Sequence, residues 1–294
     1  MKKPQYPLFI LLVVIATIGA AKSEVLKDLV AHFRQIEDPL LESGTASAAV
    51  FDDFHRNMIL EMEPQQQVTK ALSMAINRVD GATEFIINHA PKWHDQIVYN
   101  EHLKTMLSPA LVSPEISVRM AAFEIYLASF SLDKSAAQIG LLMDRFDNEP
   151  ESRPWAIWSI GLIAARGVER QKAFDEIQWQ LRSEDLITRK WAVNAMGILG
   201  GQESILPLLD IATNDVDLFV RERAFCELAN SGTLQITERY QAIPSLFDIA
   251  ADREQPPQVH RWAFQALREI TATNLGDDLD LWQEKLNQLK LLHP

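Results

Sequence analysis

Residues 188–197 read Thr188-Arg189-Lys190-Trp191-Ala192-Val193-Asn194-Ala195-Met196-Gly197, and this stretch decides the fold. On a helix, Ala192, Val193 and Met196 stand three, four and seven residues after Arg189 and therefore share one face with it. The small Ala admits a neighbouring helix at close range, and the bulky residues fill the space beside it. The same cassette returns at Arg119, Arg153, Arg221 and His260, with spacings between successive anchors of 32 to 39 residues. Three residues on stand Ala122, Ala156, Ala224 and Ala263; four on, Phe123, Ile157, Phe225 and Phe264; seven on, Tyr126, Ile160, Leu228 and Leu267. A unit of this period that cannot bury its apolar face alone must stack on its neighbours, so the pattern predicts an all-α fold, an α-solenoid.

Four residues before each Arg lies an acid: Glu115, Glu149, Asp185 and Asp217. An acid at a helix start accepts orphan N–H groups and suits the positive end of the dipole. An Arg one turn later then pairs with that acid or with the next repeat's acid, which argues against an anion-binding stripe. The fifth copy, Pro256 and His260, departs from the rule as end repeats do. Partner helices are expected over Tyr99–Leu107, Ala136–Phe146, Ala173–Leu181, Ile205–Ala212 and Ile243–Ala250. Gly167, Gly200-Gly201 and Ser231-Gly232 close the second helices.

Ser117-Val118-Arg119, the stretch 188–197, Val220-Arg221-Glu222-Arg223-Ala224, and the closing Leu267–Thr271 followed by Asp277–Trp282 together resemble the HEAT-repeat family. Within it they are most similar to short bacterial repeats of the phycobilin-lyase type. The resemblance covers roughly residues 97–290, about five repeats. It implies a superhelix of helix pairs, and for most members a scaffold or adaptor role. Bilin lyases and a DNA-alkylation glycosylase of similar build keep an enzyme as the alternative.

The first 21 residues differ from the rest. Lys2 and Lys3 precede the uncharged run from Pro7 to Ala21, which ends in Gly19-Ala20-Ala21. A basic head, a short apolar stretch and small residues at its end describe a signal peptide. The run is short for a helix crossing ~30 Å of hydrocarbon. The competing reading is an uncleaved inner-membrane anchor. Either places the body outside the cytoplasm, periplasmic or tethered and facing the periplasm. No Cys stands near the run, which excludes a bacterial lipoprotein. Residues 23–96 read as an N-terminal helical cap, with helices over Val25–Ile36, Ala46–Met62 and Val68–Val79 and breaks at Pro39, Gly44, Pro64 and Gly81.

The chain carries 28 basic and 40 acidic side chains, net −12; without residues 1–21 the balance is 26 against 40, or −14. Such a surface repels phosphate backbones, so no nucleic acid is expected as partner. Cys226 is the single cysteine and forms no internal disulfide; on a helix it reads as a small apolar residue. His89, His94 and His102 are spaced so that they do not share a helical face, and no Cys joins them, so no metal is expected. There is no phosphate loop, no His-Glu-x-x-His and no nucleophile elbow, so no catalytic set and no cofactor are expected.

Trp155, Trp191 and Trp262 stand two after their anchors, on the flank where successive second helices wedge together. Five after the anchors stand Glu124, Trp158, Asn194, Cys226 and Gln265, which point away from the core toward the inner curve. A Trp beside hydrogen-bonding amides suits a protein-binding groove, and packing between repeats is the competing reading for Trp158. The sequence thus leads to an exported, non-enzymatic scaffold that binds a protein or peptide on its concave face. A membrane-tethered spacer is a further alternative.

Overall fold

The computed structural model describes residues 50–291. The expected signal or anchor segment, the tether through residues 7–21 and the helix over Val25–Ile36 lie outside the described residues. Among those described, every named element is helical, and the only extended pairing is the bridge between Val50 and Asp80. The helices are α1 (Asp53–Leu60), α2 (Pro64–Ile76), α3 (Ala82–Trp93), α4 (Glu101–Leu111), α5 (Ile116–Ser129), α6 (Ala136–Asn148), α7 (Arg153–Ala164) and α8 (Arg170–Gln180). They continue as α9 (Leu186–Leu199), α10 (Ile205–Asn214), α11 (Leu218–Ala229), α12 (Ile236–Arg239), α13 (Ile243–Ala251), α14 (Pro257–Thr271) and α15 (Leu279–Gln288). None is long and apolar enough to cross a membrane.

The repeat cassette is the interior of this array. Ala122, Ala156, Ala192, Ala224 and Ala263 are fully buried, and so are Ile160, Met196, Leu228 and Leu267. Each second helix packs on its first: α4 on α5, α6 on α7, α8 on α9, α10 on α11, α13 on α14. The second helices then stack as a row, α7–α9–α11–α14. Gly161 sets one spacing in that row, since a Cβ there would stand 2.8 Å from the backbone oxygen of Ala195.

The anchors do a different task from the one expected of them. Arg153 Nε donates to the Phe146 carbonyl at 3.0 Å, Arg189 Nη1 to Ser183 at 2.9 Å and Arg221 Nε to Ala212 at 2.8 Å; Arg119 Nη1 donates to Ser113. His260 keeps the same contact, its Nε2 reaching the Asp252 carbonyl at 2.6 Å. Each anchor therefore pins the turn that joins first helix to second, satisfying carbonyls that a helix end leaves orphaned. Of the four acids, Asp185 and Asp217 cap their helices, accepting from Thr188 N at 2.7 Å and Phe219 N at 2.9 Å. Glu115 and Glu149 make no cap; they pair instead with Arg78 at 3.2 Å and Arg145 at 2.9 Å. Among the described residues no anchor pairs with the next repeat's acid; Arg189 reaches Asp215, at the end of α10, at 2.9 Å.

The N-terminal part differs from the expected cap in two ways. Ala82–Trp93 is a helix outside the expected spans; burial of Phe85, Ile86, Ala90 and Trp93 on one face overrides the poor helix preference of Asn88 and Pro91. The pair α4–α5 also does not continue the row. Its second helix packs mainly on α3, much as α7 packs on α9, and meets α7 only slightly. Two hydrophobic cores result, and α5 serves both: Val118, Ala121, Ala122, Ile125 and Ala128 face the N-terminal one, Phe123, Tyr126 and Leu127 the other. A helix apolar all round is a buried helix, and α5 is buried along nearly its whole length.

Candidate functional site

The side of the second helices opposite their cassette face carries the residues expected on an inner curve, and α5 lies against part of that side. At its start, Arg119 Nε donates to the Gly232 carbonyl, beyond the end of α11, at 2.9 Å. In its middle, Glu124 takes Arg166 at 2.8 Å and Lys134 at 2.9 Å. Toward its end, Tyr126 stands edge-on to Trp158 at 4.6 Å between centroids. The contacts move from the far end of α11 to the first turns of α7, so α5 crosses the row instead of extending it.

This placement sorts the five residues expected on the inner curve. Glu124 is 5% exposed and is consumed by its two cations, so it is closed to any partner. Trp158 is half-buried among Phe123, Tyr126 and Trp191, at 6.2, 4.6 and 6.4 Å, and holds α5. Cys226 is held in a site whose burial pushes its thiol up to about 12, which leaves it inert as a nucleophile at neutral pH. Asn194 and Gln265 remain partly exposed. Asn194 accepts Arg223 Nε through Oδ1, and Gln265 donates to Glu269 at 2.8 Å. Each keeps one amide group without a side-chain partner among the described residues: the Asn194 Nδ2 donor and the Gln265 oxygen. Trp191 and Trp262 flank them, also half-buried. Beyond α5, this side of α9, α11 and α14 carries half-buried aromatic faces, amides and paired charges.

Under the strip lies a charged seam that the spacing of residues did not reveal. Glu227 is 1% exposed and pairs with Arg223 at 2.9 Å. Arg239 and Arg119 stand near it, both buried. Arg239 reads four carbonyls, among them Leu228 at 2.7 Å and Ser231 at 2.6 Å. Burial pushes the Glu227 carboxyl above the usual range in spite of these cations, and lowers Arg239 to about 10. The carboxylate fits because position 197 is Gly: a Cβ there would lie 2.1 Å from Glu227 Oε2. The available signal was a glycine eight residues after the anchor in two successive repeats, Gly161 and Gly197, which is costly in a helix unless a close approach needs it.

His89 stacks on Phe85, His94 bonds Asp95 at 3.1 Å, and His102 stands exposed on α4. Among the described residues, no group of three or more His, Cys, Asp or Glu converges on one point.

A family model of HEAT repeats matches residues 141–229, from α6 through α11. With the stacked helix pairs, this match shows HEAT repeats within an all-α solenoid. Proteins of this class commonly serve as protein-interaction scaffolds. No curated protein matches the chain.

Proposed function

We propose that this chain is an exported, non-enzymatic scaffold that binds a segment of another protein along the inner curve of α9, α11 and α14. The carrying observation is the open strip of Trp191, Asn194, Trp262 and Gln265, where free amide groups sit between half-buried aromatic faces. Such a surface supplies apolar contact area together with hydrogen bonds for a backbone, which is the composition of protein interfaces. The strip ends where α5 crosses, so the bound segment spans three repeats. Export rests on the basic head and apolar run of residues 1–21.

The test is comparative co-purification from the envelope fraction, with the native chain and the double variant Asn194→Ala, Gln265→Ala, whose side chains are partly exposed and leave the core intact. A protein recovered with the native chain and lost with the variant supports the reading. Identical recovery with both overturns it. Export is tested separately: residues 1–40 fused to a reporter active only outside the cytoplasm should give activity. Mass spectrometry then separates a start at Lys22 from an intact Met1.

A further inference from the structure

Two large apolar side chains stand in water on the side of α9 and α11 that carries Asn194 and Cys226. Ile187 and Phe219 each precede an anchor by two residues and precede Asn194 and Cys226 by seven, so they lie in line with them, opposite the cassette face. Phe219 is 67% exposed and Ile187 49%, and neither belongs to a core. Val216, in the turn that opens α11, is 92% exposed. Lys190 reaches across from α9 and sets its Nζ 5.9 Å from the centre of the Phe219 ring, which joins the two helices here. Exposed apolar side chains grouped across neighbouring helices mark an interaction surface.

Farther along the same side, two half-buried carboxylates have no ion pair. Glu222 stands one turn before Cys226 on α11, and Glu269 one turn after Gln265 on α14. Neither enters an ion pair among the described residues. Their donors are neutral: the Trp262 indole for Glu222, the Gln265 amide at 2.8 Å for Glu269. The cations around them are spent elsewhere. Arg223 is held by Asn194 and Glu227, Arg239 by carbonyls, Arg268 by Asp277 at 2.7 Å, and Lys190 lies over Phe219. Glu124, Asp215 and Glu227, also withdrawn from water, each have an Arg at 2.8–2.9 Å. Burial without such a cation disfavours the charged form of Glu222 and Glu269.

We propose, building on the scaffold reading above, that the bound segment is apolar and basic: a large apolar side chain seats on Ile187 and Phe219, and Arg or Lys side chains pair with Glu222 and Glu269. The cations that these carboxylates lack then come from the partner, and a chain of net charge −12 draws a basic segment toward it. The segment runs obliquely, from the first turns of α9 and α11 to the last turn of α14. Two helix spacings are about 16–20 Å, which seven extended residues cover at about 3.3 Å each.

The experiment is a calorimetric titration of the full chain with acetyl-Phe-Ala-Arg-Ala-Ala-Ala-Arg-amide and with the reversed sequence. One direction should saturate with Kd below about 1 mM, the affinity that two charge-assisted contacts and one apolar contact supply. Citrulline in place of both Arg should weaken binding at least about tenfold. Phe219→Ala, at an exposed position, should weaken it several-fold with unchanged melting. The double variant Glu222→Gln, Glu269→Gln should lose about tenfold or more, yet melt no lower than the native chain at pH 7.5, because it removes two carboxylates that burial disfavours. Loss of binding without loss of stability is not misfolding. No saturation by either peptide up to about 10 mM, equal binding of the citrulline peptide, or indifference to the double Gln variant overturns the basic segment. An envelope protein lost with Asn194→Ala, Gln265→Ala but recovered in full with Glu222→Gln, Glu269→Gln also overturns it, and leaves the scaffold reading standing.

Discussion

Arg119 and Gly232 are 113 residues apart in the chain, yet Arg119 Nε donates to the Gly232 carbonyl at 2.9 Å. The bond ties the helix that ends the N-terminal core to the turn after α11. The Arg that opens the repeat series thereby becomes the pin of a crossing helix. It makes the same turn-closing contact to its own Ser113 carbonyl as its counterparts do, and spends its second face on a distant repeat.

Arg119→Met should destabilise the chain by about 2–4 kcal/mol, because a buried charge-assisted contact is lost and carbonyls are left unpaired. Urea denaturation measures the loss. Hydrogen exchange should show faster exchange in α5 than in α9. Equal protection of both helices in the variant would mean that α5 is held by its apolar faces alone.

Gly197→Ala should cost about 1–3 kcal/mol by overpacking, since the added methyl meets the buried Glu227 carboxylate, which has no solvent to retreat into. Gly140→Ala is the contrasting case. It lies exposed within α6 with nothing within 4 Å of a Cβ, so it should stabilise by roughly 0.5–1 kcal/mol. Thermal melts of the two variants should shift Tm in opposite directions. A shared direction would contradict the close approach at 197.

Burial raises Glu227, Glu269 and Glu222 above their ordinary 4.5. An acid raised in the folded state binds its proton more tightly folded than unfolded. Stability is therefore lost as pH climbs from about 4.5 through the folded values. Asp185 acts oppositely: Thr188 hydrogen bonds lower it below 3.8, so its contribution is lost as pH falls below that. Melting followed from pH 4.5 to 7.5 should show Tm declining on the alkaline side, with a shallower slope in Glu269→Gln. Parallel curves for variant and native chain would show that Glu269 carries no part of the dependence.

The Cys226 thiol, pushed up to about 12 from 9.0, should alkylate slowly. At pH 8 its thiolate fraction falls by about a thousandfold on folding, so native reaction with iodoacetamide should be slower than in urea by about 10²–10³. Peptide mass spectrometry against time reads both rates. Comparable rates would place the thiol in open contact with solvent.

The repeat cassette was legible because it is a local property of single helices. Arg189, Ala192, Val193 and Met196 show their shared face by spacing alone, and the first helices at Ala136, Ile205 and Ile243 begin at the expected residues. The helix α3 was not legible, because Asn88 and Pro91 are poor helix formers. Its formation depends on burying Phe85 and Trp93 in a core assembled with α2 and α5.

The sequence by itself determined that this chain is a solenoid, where its helix pairs fall, and which residues of each helix are interior, since periodicity dictates which face must leave water. Only the tertiary structure decided that α5 crosses the row, that Glu124 and Trp158 are consumed in holding it, and that the anchors close turns. It also decided that Glu227 is buried among three guanidinium groups. Those outcomes depend on contacts between residues such as Arg119 and Gly232, and no periodicity within a helix records which distant carbonyl a side chain will reach.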